Sequence, residues 1–432
     1  MISRRYFTFL LCFIFLSVPA AAQDWPQWRG PNRDGNVSGA RVPTAWPKTL
    51  KEQWKVSVGI GHSSPVVSGG RIYVFARQGE DEVLLSLEAS TGKQIWRSAQ
   101  PISYQMNPAA TGHGKGPKST PVVSNGTICT LGISGVLSCH DAATGKVKWR
   151  KEFAKQYPTT SPLFGTAMSP IVDNGLLIAH VGGHDKGALT AFDIETGAVK
   201  WSNETDGPAY SSPIIVTLAG VRQLVTFMQK DFVGVDAATG KLLWKLPAKT
   251  EYDTNSVTAV AYKDLLIFAR EGQGLTAIRI IKNDAKNVAA MNVVKIAAEL
   301  KTQEVWSNKD VELYMNTPVL QGNTLVGLSV RQKGQFFAID ADTGKTVWQG
   351  AGRMGENAAI LNLGGKALLL LTNDANLIVL PGNTTGSAAK GYAPVTQYVV
   401  ATSPTWAHPL LLGRRLLIKD ESTLASFEIA AK

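Results

Sequence analysis

The chain reads as an all-β protein folded into an eight-bladed β-propeller, a closed ring of four-stranded blades. Three observations carry that reading. A turn motif recurs with a tryptophan at a fixed distance behind it. A proline-marked apolar run recurs in step with the motif. The strands left over at the two chain ends make up one shared blade.

The turn motif is clearest in "DAATGKVKW" ending at Trp149, "DIETGAVKW" at Trp201, "DAATGKLLW" at Trp244 and "DADTGKTVW" at Trp348, with "EASTGKQIW" ending at Trp96. An acidic residue closes an apolar run, and its carboxylate can accept hydrogen bonds from the turn amides. Glycine takes the positive φ that a tight or bulged hairpin requires. Alternation then resumes, so each unit presents one large aromatic at a constant phase. A tryptophan buries about 150–250 Å², which makes it a packing device between neighbouring units.

Degenerate copies extend the series. Trp54 has no turn before it, Trp306 follows an irregular insertion, and Tyr398 stands where a tryptophan is due. The structural set is therefore Trp54, Trp96, Trp149, Trp201, Trp244, Trp306 and Trp348, completed by Tyr398. Their mean spacing is about 49 residues, the length of a four-stranded blade.

The second repeat comprises "SSPVV" at Ser63, "STPVV" at Ser119, "MSPIV" at Met168, "SSPII" at Ser211, "NSVTAV" at Asn255, "NTPVL" at Asn316, "NAAIL" at Asn357 and "WAHPLLL" at Trp406. Each opens an inner strand, followed by a turn and further apolar runs. No long stretch of the mature chain has helical periodicity. Residues 282–300 alone read either as a short helix or as an irregular strand pair.

The last block supplies three strands, and the strand around Trp54 has none before it. Pairing the ends completes the eighth blade and removes open sheet edges. The expected organisation is a signal peptide over residues 1–22, a strap over 23–48 and the propeller over 49–432.

The pattern Ala-x-Asp-x-x-x-Gly-x-x-x-Trp, whole in "AFDIETGAVKW" and "AIDADTGKTVW", resembles the tryptophan-docking motif of the pyrroloquinoline-quinone-like propellers. That superfamily holds quinoprotein alcohol dehydrogenases and non-catalytic BamB-like members. The resemblance spans about residues 50–430 and speaks for the fold; the motif is a packing device shared by enzymes and scaffolds.

The leader "MISRRYFTFLLCFIFLSVPAAAQ" has Arg4 and Arg5, a short apolar run and a small-residue cleavage site at Ala22. It reads as a secretory signal. Cys12 lies within the apolar run, unlike a lipoprotein cysteine, so the expectation is a periplasmic or extracellular protein with no transmembrane segment. Two cysteines remain, Cys129 and Cys139, flanking a hairpin turn. Two readings stand open there: a bridge, which an oxidising compartment permits, and a pair of buried thiols. The net charge of +11 is scattered, without the basic stripe of a nucleic-acid reader. A monomer is expected.

A quinoprotein dehydrogenase of this resemblance implies a quinone near the axis, calcium held by oxygen ligands and an aspartate base. It also implies vicinal cysteines, which this chain lacks. Asp141, Asp193, Asp236 and Asp340 belong to the repeated turns. "GHGKG" at Gly112 follows no clear strand, and His180 with His184 reads as loop histidines. No catalytic or metal residues are assigned.

What remains is the channel mouth, where eight related loops converge. The candidate ligand or partner site is His62, Lys118, Met168, Tyr210, Asn255, Asn316, Asn357, Trp406 and His408, with Glu356 as neighbour. The expected function is a secreted, non-catalytic module that binds an envelope protein or small ligand there, with no cofactor. The alternative is a pyrroloquinoline-quinone-dependent oxidoreductase using calcium. The strap "QDWPQWRGPNRDGNVSG" reads as a surface-docked segment through Trp25 and Trp28, or as an exposed binding arm.

Overall fold

The computed structural model describes residues 24–283, 300–382 and 391–429. They form eight separate four-stranded antiparallel sheets, each built from strands consecutive around the ring. Seven are contiguous: residues 66–101 (blade I), 122–151 (II), 171–205 (III), 214–247 (IV), 260–308 (V), 319–349 (VI) and 358–399 (VII). In blade VIII the strand Lys51–Ser57 pairs with Thr423–Glu428, which continues to Arg415–Lys419 and Leu410–Leu412. Glu52 lies opposite Phe427 and Trp54 opposite Ser426. The two ends of the chain are thus hydrogen-bonded into one sheet.

The repeated turn works through side chains. Asp141 Oδ1 accepts from Thr144 N at 2.8 Å and from Thr144 Oγ1 at 2.7 Å. The same pair of bonds recurs at Asp193–Thr196, Asp236–Thr239 and Asp340–Thr343. Just before each of the seven tryptophans the outer strand slips by one residue; Ser86 faces Trp96 but Leu87 faces Gln94, which leaves Ile95 as the bulge. A bulge re-aims the side chains beside it, here toward the next blade.

Five tryptophans stand on the turn glycine of that next blade. A Cβ on Gly145 would lie 2.5 Å from the Trp96 ring, and Gly92, Gly197, Gly240 and Gly344 hold Trp54, Trp149, Trp201 and Trp306 in the same way. The indole N–H of Trp149 and of Trp306 donates to Ile194 O (2.8 Å) and Ala341 O (3.0 Å). The sequence between Lys282 and Leu300 of blade V contains no glycine, and Trp244 packs over Gly234 of its own blade, with Nε1 donating to Gln223 at 2.5 Å. Trp348 packs near Tyr392. Tyr398, with no bulge before it, donates its hydroxyl to Pro47 O at 2.6 Å.

The cores lie between blades: Ile267 and Ala277 of blade V pack in one cluster with Leu325 and Phe337 of blade VI. Cys129 and Cys139 sit opposite each other on neighbouring strands of blade II, buried, and are joined as a disulfide. In blade V, Lys282 pairs with Leu300. The ambiguous stretch beyond it, residues 284–299, lies outside the described residues, as does the leader.

The segment ahead of blade VIII takes neither of the two routes the sequence suggested. It crosses the central channel. Trp25 is buried and exchanges both backbone hydrogen bonds with Val67 of blade I, and Pro26 O accepts from Val123 N of blade II. Arg33 donates to Ser169 O and Pro170 O beside blade III (both 2.9 Å), and Arg29 to Thr317 O (3.1 Å) and Pro318 O (2.7 Å) beside blade VI. Val37 N reaches Asn362 O of blade VII. Contacts to the inner edges of five blades make this segment a plug rather than a surface strap.

Candidate functional site: a plugged cup on the axis

Above the plug the channel opens into a cup of about 570 Å³, within the usual range for small-molecule sites. Its floor is Trp28. Its walls are the residues that lead into the inner strands.

These residues alternate, with Asn316 and Asn357 as the two exceptions that also touch the cup. The position before each Pro or its equivalent faces the axis: Ser64, Thr120, Ser169, Ser212, Thr258, Thr317, Ala358 and His408 all line the cup. The residue before that turns into the blade, and the one before that again faces the axis at the rim, as His62, Lys118, Ala167, Tyr210, Ser256, Met315 and Trp406. This is the period of two of extended chain.

The alternation corrects two of the sequence assignments. Met168 is in the blade-turned phase and packs in the apolar cluster with Cys129 and Leu177. Asn255 is in the same phase, buried, and its amide donates to Ala248 O (2.7 Å), Gln229 O and Met228 O. Neither lines the cup; Ala167, Thr254 and Ser256 do. Asn316 and Asn357 reach the lining but are buried, and Asn316 is committed to Leu328, donating to its carbonyl and accepting from its N–H. Glu356 stands exposed outside the lining. His62, Lys118, Tyr210, Trp406 and His408 are brought together as the spacing suggested. Trp28, His113, Phe164 and Tyr314 were missed. The first two come from the plug and from the long connection between blades I and II, which no repeat marks.

Aromatic rings dominate the rim. His62 stacks on Trp406 (5.4 Å between centroids, 18° between planes), and His113 meets both edge-on. Across the cup Phe164 packs against Tyr210, whose hydroxyl accepts from Phe164 N at 3.2 Å. His408 meets the Trp28 floor edge-on at 5.5 Å. "GHGKG" is part of the wall: a Cβ on Gly116 would collide with Gly61, and Pro117 O accepts from His62 N and Ser63 N.

The cup is electropositive. Lys118 Nζ donates to Phe164 O at 2.7 Å, and burial pulls its pKa down to about 8. Burial, with Lys118 and Lys419 nearby, pushes His62 down to about 3; burial and Arg29 do the same to His408. Both imidazoles are therefore neutral. Under the floor, the Arg29 and Arg33 guanidiniums each lie 5.5 Å from the Trp28 ring. Burial lowers them to about 10 and about 9. No aspartate or glutamate belongs to the lining.

That donor set decides the cofactor question for a quinone with calcium. Calcium takes six to eight oxygen ligands, carboxylates foremost, and the cup offers none. Of its two asparagines, Asn316 is already bonded at both amide atoms. The residues present do not fit the ion, and no step is derived through it. Elsewhere, His180 is buried and bonded to Thr205 (2.6 Å). His184, Asp185 and Asp253 cluster within 4.8 Å, tied together by the Gln229 amide.

Tryptophan-docked blades, a ring closed by the two chain ends and a cup on the axis define a propeller of the pyrroloquinoline-quinone-like class. The family model described as outer membrane protein assembly factor BamB matches residues 38–103 and 80–350, and the chain belongs to that family. It is 23% identical over 381 residues to the outer membrane protein assembly factor BamB of Burkholderia pseudomallei, covering 78% of this chain and 91% of that protein. The crystal structure of BamB from Moraxella catarrhalis superposes with a TM-score of 0.60 at 13% identity, over 88% of this chain and 98% of that one. A quinohemoprotein alcohol dehydrogenase from Comamonas testosteroni superposes with a TM-score of 0.67 at 15% identity, over 95% and 81%. Likeness at these identities is likeness of fold. No helix among the described residues is long and apolar enough to cross a membrane.

Proposed function

We infer that this protein is a non-catalytic envelope module that captures a ligand, or a partner's protruding group, in the axial cup. The observation that carries the reading is the lining itself: aromatic rings and hydroxyls around one ammonium, with no carboxylate to bind calcium or act as base. His62 and His408 are too weakly basic to replace one. BamB-like relatives, named as outer membrane assembly factors, support a scaffold role in the cell envelope. The leader sequence and the Cys129–Cys139 pair agree with an oxidising compartment. The quinone-dependent alternative has the fold of the dehydrogenase neighbours behind it and no fitting ion site. Reconstitution with pyrroloquinoline quinone and calcium tests the choice. The expected result is no dye reduction on alcohols or sugars; turnover above the protein-free control overturns the reading.

A further inference from the structure

The cup contains a crown of hydroxyls whose hydrogen-bond traffic runs one way. His408 N donates to Ser64 Oγ (2.8 Å), Ser64 N to Thr120 Oγ1 (3.1 Å) and Thr120 N to Ser169 Oγ (3.0 Å). The relay goes on from Ser169 N to Ser212 Oγ (3.0 Å), Ser212 N to Thr258 Oγ1 (2.9 Å) and Thr258 N to Thr317 Oγ1 (3.1 Å). Six hydroxyls, each from a different blade, accept from the neighbouring blade's backbone. A hydroxyl has one proton to donate, and accepting a bond polarises it for donation. These six protons are left to whatever occupies the cup.

The charges point the same way. Lys118 uses one of its three donors, on Phe164 O. Arg29 and Arg33 beneath Trp28 are bonded to backbone carbonyls and the Gln27 amide oxygen. The lining has no carboxylate, and Glu356 lies exposed outside it. A cation here meets Lys118 in the lining, Arg29 and Arg33 beneath the floor and Lys419 beside His62, while the nearest carboxylates, Glu271 bonded to Thr254, Asp253 and Glu356, stand outside the lining. A neutral occupant leaves a partly buried ammonium without an anionic partner.

We propose that the cup selects small organic oxyanions, a carboxylate or phosphate carried on a flat ring, and holds them through the hydroxyl crown and Lys118 without a metal. The ring lies against Trp406 and its stacked partner His62, and the oxyanion points down toward the crown. This rests on the binding reading above and adds the chemistry of the occupant.

Calorimetric titration with four matched probes tests it: 2-naphthoate, 2-naphthyl phosphate, neutral 2-naphthamide and cationic 2-naphthylmethylamine. At least one anion should bind about tenfold or more tightly than the amide, as loss of a charge-assisted bond implies, and the tighter anion identifies the oxyanion. Lys118→Met should remove that preference and leave amide binding alone. Ser212→Ala with Thr258→Val should weaken both anions and serves if Lys118→Met does not fold. If the amide or the amine binds as well as the anions, and Tyr210→Ala abolishes it, the cup is a binding site and the anion selectivity is wrong. If none of the four binds, the proposal fails; quinone-driven dye reduction, by contrast, would overturn the non-catalytic reading.

Discussion

Trp201 stands on Gly240 of the following blade, and a Cβ on that glycine would lie 2.5 Å from the ring. Gly240 also has φ of +74°, where any other residue is strained. The contact is inter-blade packing, and neither residue lines the cup. Trp201→Ala should cost about 3–5 kcal/mol and lower the melting temperature. Gly240→Ala, which adds only a methyl group, should destabilise as well. Chemical denaturation measures both; a Gly240→Ala protein as stable as wild type contradicts the docking account.

Cys129 and Cys139 face each other across neighbouring strands of blade II. Unreduced mature protein, unfolded in denaturant, should release no titratable thiol. Closing so short a loop restricts the unfolded chain modestly, and reduction should cost about 2–3 kcal/mol. Two alkylated cysteines in the unreduced sample would refute the bridge.

Glu82 is buried between blades I and II, and Ile133 N donates to it at 2.8 Å. Burial raises its pKa from 4.5 to about 7, against smaller opposing effects of the Ile133 N–H, Arg77 and Arg150. Ser98 and His140 line the same small cavity. A raised carboxyl pKa means that stability is fully present below pH 4.5 and is lost as pH rises through about 7. Glu82→Gln keeps the acceptor oxygen and cannot ionise. Relative to wild type it should gain about 3 kcal/mol between acid and neutral pH. Parallel stability–pH curves for the two proteins would rule this out.

Lys118 loses its charge near pH 8 because burial depresses its pKa. Of the groups around it, His62 is at about 3, burial lowers His113 and burial raises Tyr210, whereas burial pulls Lys419, which also faces His62, down to about 8. Anion affinity should therefore fall as pH rises from 7 through 9, and Lys118→Met should remove most of that fall, leaving the smaller share that Lys419 contributes. An unchanged wild-type affinity at pH 9 removes Lys118 from the site.

The blades were legible because their determinants are local. Asp, Thr, Gly and Trp of each turn lie within nine residues, and the strand count at the ends forced closure. The cup was legible only in part. Met168 and Asn255 were assigned one phase out, although the Ser or Thr before five of the repeat prolines, and Thr258 at the matching place, already marked the axis-facing position. The plug was not legible. Arg29 and Arg33 reach carbonyls well over a hundred residues away, and no local pattern announces a guanidinium that bonds to backbone. Asn316 braces Leu328, so the exposed Met315 is the rim residue to change together with Tyr210.

The central claim is that function resides in the cup, and native mass spectrometry of protein incubated with envelope extract tests it most directly. Wild type should carry a discrete bound mass. Tyr210→Ala with Met315→Ala changes two rim residues outside the blade cores, where substitutions usually shift stability little. That variant should keep the wild-type melting temperature and lose the bound mass. A variant that melts like wild type and still carries the same adduct would contradict the cup as the site of capture.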